Sequence, residues 1–210
     1  LWDKQYDDAC LVTNYNAIKD PVAKRYLNQF DTLIRSNAAI PILEKIVKVS
    51  SSYLNSLVLS INPFGFRTYF RGSDKGDISI LTSKGWAKVN REEITKGVEY
   101  VDKYKIIVGR FVPSNGEMSV KPGDGYRVLT EPQILQPKQI NTETYIDTAV
   151  FATHEEAINY KKYLCSKFSR YLLKQGVTSV NVTRECFAFV PIQDFTNQSD
   201  IDWNRPIPEI

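Results

Sequence analysis

Two helices are predicted near the start of the chain from the spacing of its apolar residues. Apolar side chains recur at steps of three and four over residues 21–35, behind Asp20-Pro21, a favourable N-cap followed by a proline suited to the first helical turn. A second helix is predicted from Pro41, because Leu43 and Ile46 fall on one helical face. Both predicted helices precede the region in which the spacing changes.

Between residues 62 and 152 the pattern changes to short apolar runs separated by turns that contain glycine and proline. Runs of this length and composition are typical of β-strands. The four predicted strands are Asp77–Thr82, Trp86–Asn90, Lys103–Phe111 and Thr144–Ala152. The clearest turn signals are Gly72–Gly76 and Lys121–Gly125.

The clearest helical pattern follows these strands. Thr153 and Glu156 form a capping box and Gly176 is a C-terminal stop, so one long helix is predicted over about 154–175. Its polar face carries five basic residues, which are Lys161, Lys162, Lys167, Arg170 and Lys174. Two further short strands are predicted at Val177–Thr183 and Cys186–Val190. The order of elements predicts the α+β class: a mixed sheet of short strands, N-terminal helices and one long basic amphipathic helix.

The charge distribution adds a first indication of function. The chain has 210 residues, 42% of them hydrophobic and 24% charged, which is typical of a globular protein. Residues 35–184 hold 22 basic and 14 acidic side chains, a net charge of +8, although the whole chain has only +3. A basic block favours a phosphate-bearing partner if folding gathers the charges, and otherwise indicates only a solvated surface.

Several kinds of active site lack their residues in this sequence. His154 is the one histidine, which excludes a metal site with two imidazole ligands. None of the 24 Asp and Glu residues is followed by lysine two positions later, a step with which many restriction nucleases hold Mg²⁺ and activate water. The sequence also lacks a nucleophile elbow and a complete glycine-rich nucleotide loop. We therefore expect no catalysis from this chain alone.

Six short segments follow one another in a distinctive order. The chain opens with Leu1-Trp2-Asp3-Lys4 and Cys10-Leu11-Val12-Thr13-Asn14, and continues with Asn62-Pro63-Phe64-Gly65-Phe66-Arg67-Thr68-Tyr69-Phe70. Its last third holds Asn141-Thr142-Glu143-Thr144-Tyr145, Lys167-Phe168-Ser169-Arg170-Tyr171-Leu172 and Phe189-Val190-Pro191-Ile192-Gln193-Asp194-Phe195. In this combination and order they resemble the C-terminal target recognition region of bacterial adenine-specific DNA methyltransferases from restriction–modification systems. The resemblance runs over nearly the whole chain.

The resemblance implies a longer parent protein, a site-specific adenine DNA methyltransferase, of which this chain is a fragment. An N-terminal domain of the parent would bind S-adenosylmethionine and methylate adenine N6. The family's Asn-Pro-Pro-Tyr/Phe motif is absent, since Asn62-Pro63-Phe64 has a single proline. No catalytic residue can therefore be carried over. No cofactor is expected in this fragment, and S-adenosylmethionine is expected in the missing catalytic domain.

The same resemblance suggests how the chain is divided. Residues 1–34 would be the end of the methyltransferase domain with a connecting helix. Residues 35–195 would be the target recognition domain. Residues 196–210, which close on a proline-rich stretch, would be a polar tail leading to deleted sequence.

Candidate DNA-binding residues lie in three polar and basic stretches. They are Arg67, Tyr69, Arg71 and Lys75 in the first, Lys174, Asn181, Thr183 and Arg184 in the second, and Lys138 and Gln139 in the third. Such side chains on loops suit phosphate oxygens and base edges in the major groove. A plainer interpretation stays open for each stretch: surface arginines beside core phenylalanines in the first, an edge hairpin in the second, and capping or strand pairing by Thr142 and Thr144 in the third.

The expected partners are double-stranded DNA, the N-terminal methyltransferase domain of the parent and, as a further candidate, a restriction subunit. No membrane partner is expected. The alternative function is a protein–protein docking module of a restriction–modification complex, which would use the apolar helices without direct base readout. Three scattered cysteines are too few for a disulfide framework, so the cytoplasm is the expected location.

Overall fold

A computed structural model describes residues 9–14, 21–113 and 127–205 of the chain. The helices are α1 (Ile40–Val49), α2 (His154–Cys165) and α3 (Lys167–Gly176). The strands are β1 (Cys10–Thr13), β2 (Val22–Arg25), β3 (Ile78–Thr82), β4 (Gly85–Val89), β5 (Tyr104–Gly109), β6 (Gln133–Leu135), β7 (Gln139–Asn141) and β8 (Tyr145–Phe151). Short 3₁₀ turns lie at Asn37–Ala39, Leu54–Ser56, Arg91–Glu93, Val98–Tyr100 and Arg184–Phe187. This mixture confirms the predicted α+β class.

The described strands form three small sheets, with strand orders β1-β2, β4-β3-β7 and β6-β5-β8. Neighbouring strands are antiparallel except β3 and β7, which are parallel. The four strands predicted from the sequence correspond to β3, β4, β5 and β8, and all four are confirmed with ends within two residues. The predicted helix from Pro41 is confirmed as α1, with the proline in its first turn.

The larger part of the molecule is here called the helical body: the sheet β6-β5-β8, the three helices and the segments packed with them. Its core joins aliphatic side chains of β5 and α1 to a group of buried rings. The rings of Tyr160, Tyr163 and Trp203 surround Phe195, with centroid distances of 5.2, 5.8 and 5.5 Å to it. Burial of these large side chains is the main stabilising contribution in this part.

The smaller part is called the small-sheet lobe and comprises residues 62–101 and 138–143. Its separate core lies under β4-β3-β7 and is formed by Phe64, Phe66, Ile78, Ile80, Val89, Ile94, Val101 and Ile140. Leu81 of the lobe packs with Ile107 and Leu135 of the helical body, which joins the two parts. Gly65 has a φ of +90°, and a Cβ there would lie 2.2 Å from Thr95 Oγ1, so the turn before Phe66 requires glycine.

The predicted helix over 21–35 is wrong. Residues 22–25 form β2, which pairs antiparallel with β1, and the chain then turns until the 3₁₀ segment at residue 37. The Arg25 guanidinium is buried and donates to Asn37 Oδ1 at 2.9 Å and to the Ile34 carbonyl at 2.5 Å. These long-range bonds and the strand pairing outweigh a helical spacing that was only a local preference. Asp20 lies outside the described residues.

The predicted helix over 154–175 is confirmed at both ends but broken in the middle. Its capping box is present: Glu156 N–H donates to Thr153 Oγ1 at 3.2 Å, and Thr153 N–H donates to the Glu156 carboxylate at 3.1 Å. Ser166 has extended dihedral angles, ends α2 and caps α3, since its Oγ accepts from Ser169 N–H at 3.1 Å. A serine that competes for backbone N–H groups therefore divides one apolar pattern into two helices.

The two strands predicted over 177–190 are wrong. Within this segment the structure has one isolated bridge, between Phe111 and Asn181, and the 3₁₀ turn Arg184–Phe187. Thr183 caps that turn, because its N–H donates to Cys186 Sγ at 3.4 Å. A run of β-branched residues too short to pair over several positions therefore stays irregular.

The domain boundaries drawn from the resemblance stay predictions. Asn37 Nδ2 donates to the Val12 carbonyl of the β1-β2 hairpin at 2.9 Å, and Trp203 lies in the main core at 5% exposure. Residues 1–4, the turn at 121–125 and the end of the tail at 206–210 lie outside the described ranges. Among the described residues, no helix has the length and apolar character needed to cross a membrane.

Candidate nucleic-acid interface

The first candidate stretch is a surface loop fastened to the small-sheet lobe by one carboxylate. The Glu143 side chain accepts from Thr68 N–H at 3.2 Å and forms an ion pair with Arg67, with 3.0 Å between Nη1 and Oε2. The side chain of Arg67 is 61% exposed, whereas that of Glu143 is 14% exposed. Glu143 thus positions Arg67 and partly neutralises it.

Arg71 and Tyr69 are presented to solvent by the same loop. Arg71 Nη1 donates to the Thr68 carbonyl at 3.1 Å and to Ser83 Oγ at 3.3 Å, which ties the loop to the β3-β4 turn. Tyr69 is 77% exposed, while Phe70 packs on Phe66 with ring centroids 4.5 Å apart. The phenylalanines thus belong to the core or pack on it, and the polar side chains between them are exposed, as the plainer interpretation has it. Contact of these side chains with DNA stays a prediction.

A shallow groove of about 410 Å³ holds one candidate of the third stretch, Gln139, and none of the candidates of the first stretch lines it. Gln139 lines it together with Ser73, Asp74, Ser79, Trp86, Ala87 and Lys88. Lys88 Nζ donates to Ser79 Oγ at 3.0 Å, and Trp86 is 53% exposed. An exposed indole beside an ammonium group offers a stacking surface and a phosphate contact in one place.

Two further candidate lysines lie near this groove. Lys75 is exposed on the loop that follows Ser73 and is held by its own N–H, which donates to Ser73 Oγ at 3.2 Å. Lys138 is exposed with a φ of +62°, and its N–H donates to the Val101 carbonyl at 2.9 Å. Both can add positive charge around the groove.

A second cleft, of about 340 Å³, gathers the other arginines. Thr183 and Arg184 line it together with Arg110 and Tyr145. Arg110 comes next to them because its carbonyl accepts from Val182 N–H at 2.7 Å, which continues β5 alongside the 180–182 segment. Arg110 and Arg184, which are far apart in the sequence, therefore meet through two backbone hydrogen bonds and one bridge.

Glu143 links this cleft to the loop of the lobe. Its side chain binds Arg67, and its carbonyl accepts from Arg110 Nη1 at 3.4 Å. Arg184 extends the row, since it lines the same cleft as Arg110. Arg71 is connected less directly, because it donates to the carbonyl of Thr68, whose N–H donates to Glu143. The four arginines at positions 67, 71, 110 and 184 are here called the arginine strip.

The remaining candidates of the second stretch do not line that cleft. Asn181 is exposed and pairs with Phe111. Lys174 lies half-buried on α3. Other basic residues of the two helices have internal contacts: Lys161 pairs with Glu131 at 3.0 Å, and Lys162 Nζ donates to the Trp203 carbonyl at 2.7 Å.

Sequence reasoning missed Arg110, Trp86 and Lys88. The sequence contains a pattern that could have indicated Trp86 and Lys88. These two residues alternate with Ala87 and Val89 along a predicted strand, so they lie on one face and the two small apolar residues lie on the other. Arg110 lay inside a predicted strand, and only its pairing with a distant segment brings it to the cleft. No local pattern reports such a pairing.

Buried ionisable groups lie between the two parts of the molecule. Asn141 Nδ2 donates to Asp147 Oδ2 at 2.9 Å, and the Oδ1 atoms of both residues have no hydrogen-bond partner. Burial raises the pKa of Asp147 to about 7 and lowers the pKa of Lys105 to about 8. Lys105 Nζ donates to the carbonyls of residues 100, 101 and 103. Their inaccessible position assigns these groups to structure rather than to ligand binding.

Comparisons with protein-family models, with curated proteins and with solved structures gave no match for this chain. The resemblance to DNA methyltransferases therefore rests on the sequence segments alone. In the described ranges, no three His, Cys, Asp or Glu side chains are placed together to hold a metal ion.

Proposed function

We propose that this chain binds double-stranded DNA as the target recognition part of a restriction–modification adenine-N6 methyltransferase, and that it positions the DNA for a catalytic domain outside the fragment. The observation that carries the proposal is the arginine strip, which crosses both parts of the molecule and ends beside an exposed tryptophan groove. The resemblance of the sequence segments supports the class of parent protein. A cytoplasmic location in a bacterium accompanies the proposal.

The strip suits the two tasks of such a domain. Arg71, Arg110 and Arg184 are held by carbonyl or hydroxyl oxygens, so their charge is not cancelled by the groups that position them. Charged donors in fixed positions neutralise phosphates, and the arginine fork also matches guanine O6 and N7. Tyr69, Trp86 and Gln139 add ring surface and amide groups beside the strip, which suit base edges.

Fluorescence anisotropy with a labelled duplex of about 20 base pairs tests the proposal over roughly 50 to 300 mM salt. A log–log slope steeper than about −3 is expected for the wild-type chain, because several phosphates are contacted. Arg71→Ala combined with Arg110→Ala should flatten that slope by about 2. The matched control is Lys45→Ala with Lys48→Ala on α1, which removes the same charge away from the strip. Equal effects of the two pairs would contradict the proposal.

A docking module is the second candidate function, and one face of the β1-β2 hairpin favours it. Leu11 and Val22 lie on the same face of the hairpin, 76% and 54% exposed. Exposed apolar side chains in neighbouring positions are typical of protein contact surfaces. If Leu11→Asp abolishes association of the intact parent with its restriction subunit while duplex binding persists, the hairpin docks and the strip binds DNA. Loss of neither activity would rule out the docking role.

A further inference from the structure

The cleft that contains Arg110 and Arg184 has a shape unlike the open surface of the rest of the strip. Leu59 N–H donates to the Asp147 carbonyl at 2.9 Å, which lays residues 59–61 along the start of β8. The segment 182–185 forms the opposite side. The volume of the cleft, about 340 Å³, lies at the lower end of the range for pockets that hold small ligands, roughly 300–1,000 Å³. This volume suits one small ligand.

The walls of this cleft are mostly apolar. Leu59, Ile61, Ile146 and Val182 line it, and Tyr145 adds an aromatic ring. Ile61 is 64% exposed, so this wall is open to solvent unless something covers it. A flat heterocycle gains more from apolar and aromatic walls than a free phosphate ion would.

Two arginines make the same cleft selective for an anion. Arg184 Nη2 donates to the Val58 carbonyl at 2.6 Å, and Arg110 Nη1 donates to the Glu143 carbonyl at 3.4 Å. A guanidinium has five N–H donors, so each arginine is oriented by a neutral acceptor and keeps donors for a ligand. Glu185 also lines the cleft, and the Thr183 hydroxyl lowers the pKa of its carboxyl. Two guanidinium groups and one carboxylate leave a net positive charge.

We infer that this cleft binds a single unstacked nucleotide, with the base against the wall of Ile61 and Tyr145 and the phosphate on Arg110 and Arg184. The inference rests on the proposed function in so far as the nucleotide belongs to the bound DNA. A nucleotide that leaves the stack loses its neighbours, and apolar walls replace them. A free mononucleotide has the same chemistry and is the other source to be distinguished.

The first arm of the test uses deoxyadenosine 5′-monophosphate and nuclear magnetic resonance on the labelled chain. Saturable shifts are expected for the amides of residues 59–61 and 182–185. Deoxyadenosine should bind at least about tenfold more weakly, since it lacks the charged group. Inorganic phosphate should shift Arg110 and Arg184 without reaching the apolar wall. Absence of shifts at millimolar deoxyadenosine monophosphate would overturn the inference.

Two exposed apolar residues supply a matched pair of variants. Ile61→Glu puts a carboxylate on the cleft wall, and Val49→Glu puts the same group on α1, where Val49 is 82% exposed. Both positions tolerate polarity, so both variants should fold. Nucleotide binding should weaken at least about tenfold in Ile61→Glu and stay unchanged in Val49→Glu. Equal binding by both variants would also overturn the inference.

The second arm uses a duplex with one 2-aminopurine, whose fluorescence rises when the base leaves the stack. A rise with wild-type protein, lost in Ile61→Glu while anisotropy still reports binding, identifies a nucleotide of the DNA as the occupant. Duplex binding without that rise and without shifts from the mononucleotide overturns the inference and leaves the proposed function standing. Mononucleotide shifts without duplex binding support the cleft, identify the free nucleotide as the occupant and overturn the proposed function instead.

Discussion

Residues of the same type have different surroundings in the helical body and in the small-sheet lobe. In the body, Tyr160 and Phe195 are buried against each other, and Lys162 donates to a backbone carbonyl. In the lobe, Tyr69 and Trp86 face solvent, and Arg71 is held on the surface by Ser83. These aromatic and basic residues thus stabilise the body but lie on the surface of the lobe. A basic or aromatic residue in this chain indicates a binding role only after its contacts are known.

The largest expected effect breaks the aromatic core of the body. Phe195 is 4% exposed and contacts three other buried rings, so Phe195→Ala should lower the free energy of unfolding by about 3–5 kcal/mol. Tyr69→Ala in the lobe should change it by less than about 0.5 kcal/mol, because that ring is exposed. Urea denaturation measures both. Similar losses for the two variants would remove the contrast between the regions.

The next effect concerns the junction between the two parts. Since the pKa of Asp147 is raised from 3.8 to about 7, its contribution to stability is fully present below about pH 4 and is lost as the pH rises through 7. Wild-type stability should therefore fall by a few kcal/mol more than that of Asp147→Asn over this range, as measured by denaturation at several pH values. Asparagine keeps the acceptor for Asn141 and cannot ionise.

Lys105 is the charged group that acts on Asp147 from β5. Its pKa of about 8 keeps it charged below pH 7, so it contributes little to the difference between the two proteins. Parallel stability curves for wild type and Asp147→Asn would show that the carboxyl group is already ionised in the folded protein.

A smaller effect is expected from the backbone of the lobe. Gly72 has a φ of +71°, and a Cβ there would lie 2.7 Å from Ala87 Cβ. Gly85 has a φ of +113° with no described atom within 4 Å of a Cβ. Gly85→Ala should therefore cost about 1–2 kcal/mol of stability from strain alone, and Gly72→Ala roughly 1 kcal/mol more. Thermal denaturation compares the two, and an equal cost would mean that the loop moves away from β4.

The smallest effect separates two lysines of similar type. Lys162→Ala should lower stability by about 1 kcal/mol, because Trp203 loses a hydrogen bond, and should leave the salt dependence of DNA binding unchanged. Lys88→Ala should do the reverse, with a change in stability below about 0.5 kcal/mol and a log–log slope flatter by about 0.9. Denaturation and anisotropy on the same preparations measure both quantities. If Lys162→Ala flattened the salt slope and Lys88→Ala left it unchanged, the binding surface would lie on the helices.

Elements with a strong local signal could be predicted from the sequence. The strand β5 contains three consecutive β-branched residues, Ile106, Ile107 and Val108, and the capping box at Thr153 marks the start of α2. The break at Ser166 and the strand β2 could not be predicted, because a continuous apolar spacing covered both. Each depends on a bond made elsewhere, the cap of α3 in one case and the pairing with β1 in the other.

The candidate site divides in the same way. Arg71 and Tyr69 were predicted because a loop signal and exposed polar residues coincide there. Arg184 was also predicted, but its neighbour Arg110 was not, since a backbone pairing across some 70 positions brings them together. The local sequence therefore indicates which side chains are exposed on loops. The pairing of distant segments decides which of these side chains lie next to one another.

The parallel pairing of β3 with β7 has a consequence for how the lobe can be exchanged between related genes. The chain builds most of the lobe, leaves it to form β5 and β6, and returns for the three residues of β7 before entering β8. The lobe is thus discontinuous in the gene, and no continuous segment encodes it without also encoding β5 and β6. If the lobe binds DNA as proposed, its surface changes by point substitutions on the loops or by exchange of residues 62–143 as one block. Chimaeras made by one crossover inside residues 102–137 should combine mismatched halves of a sheet.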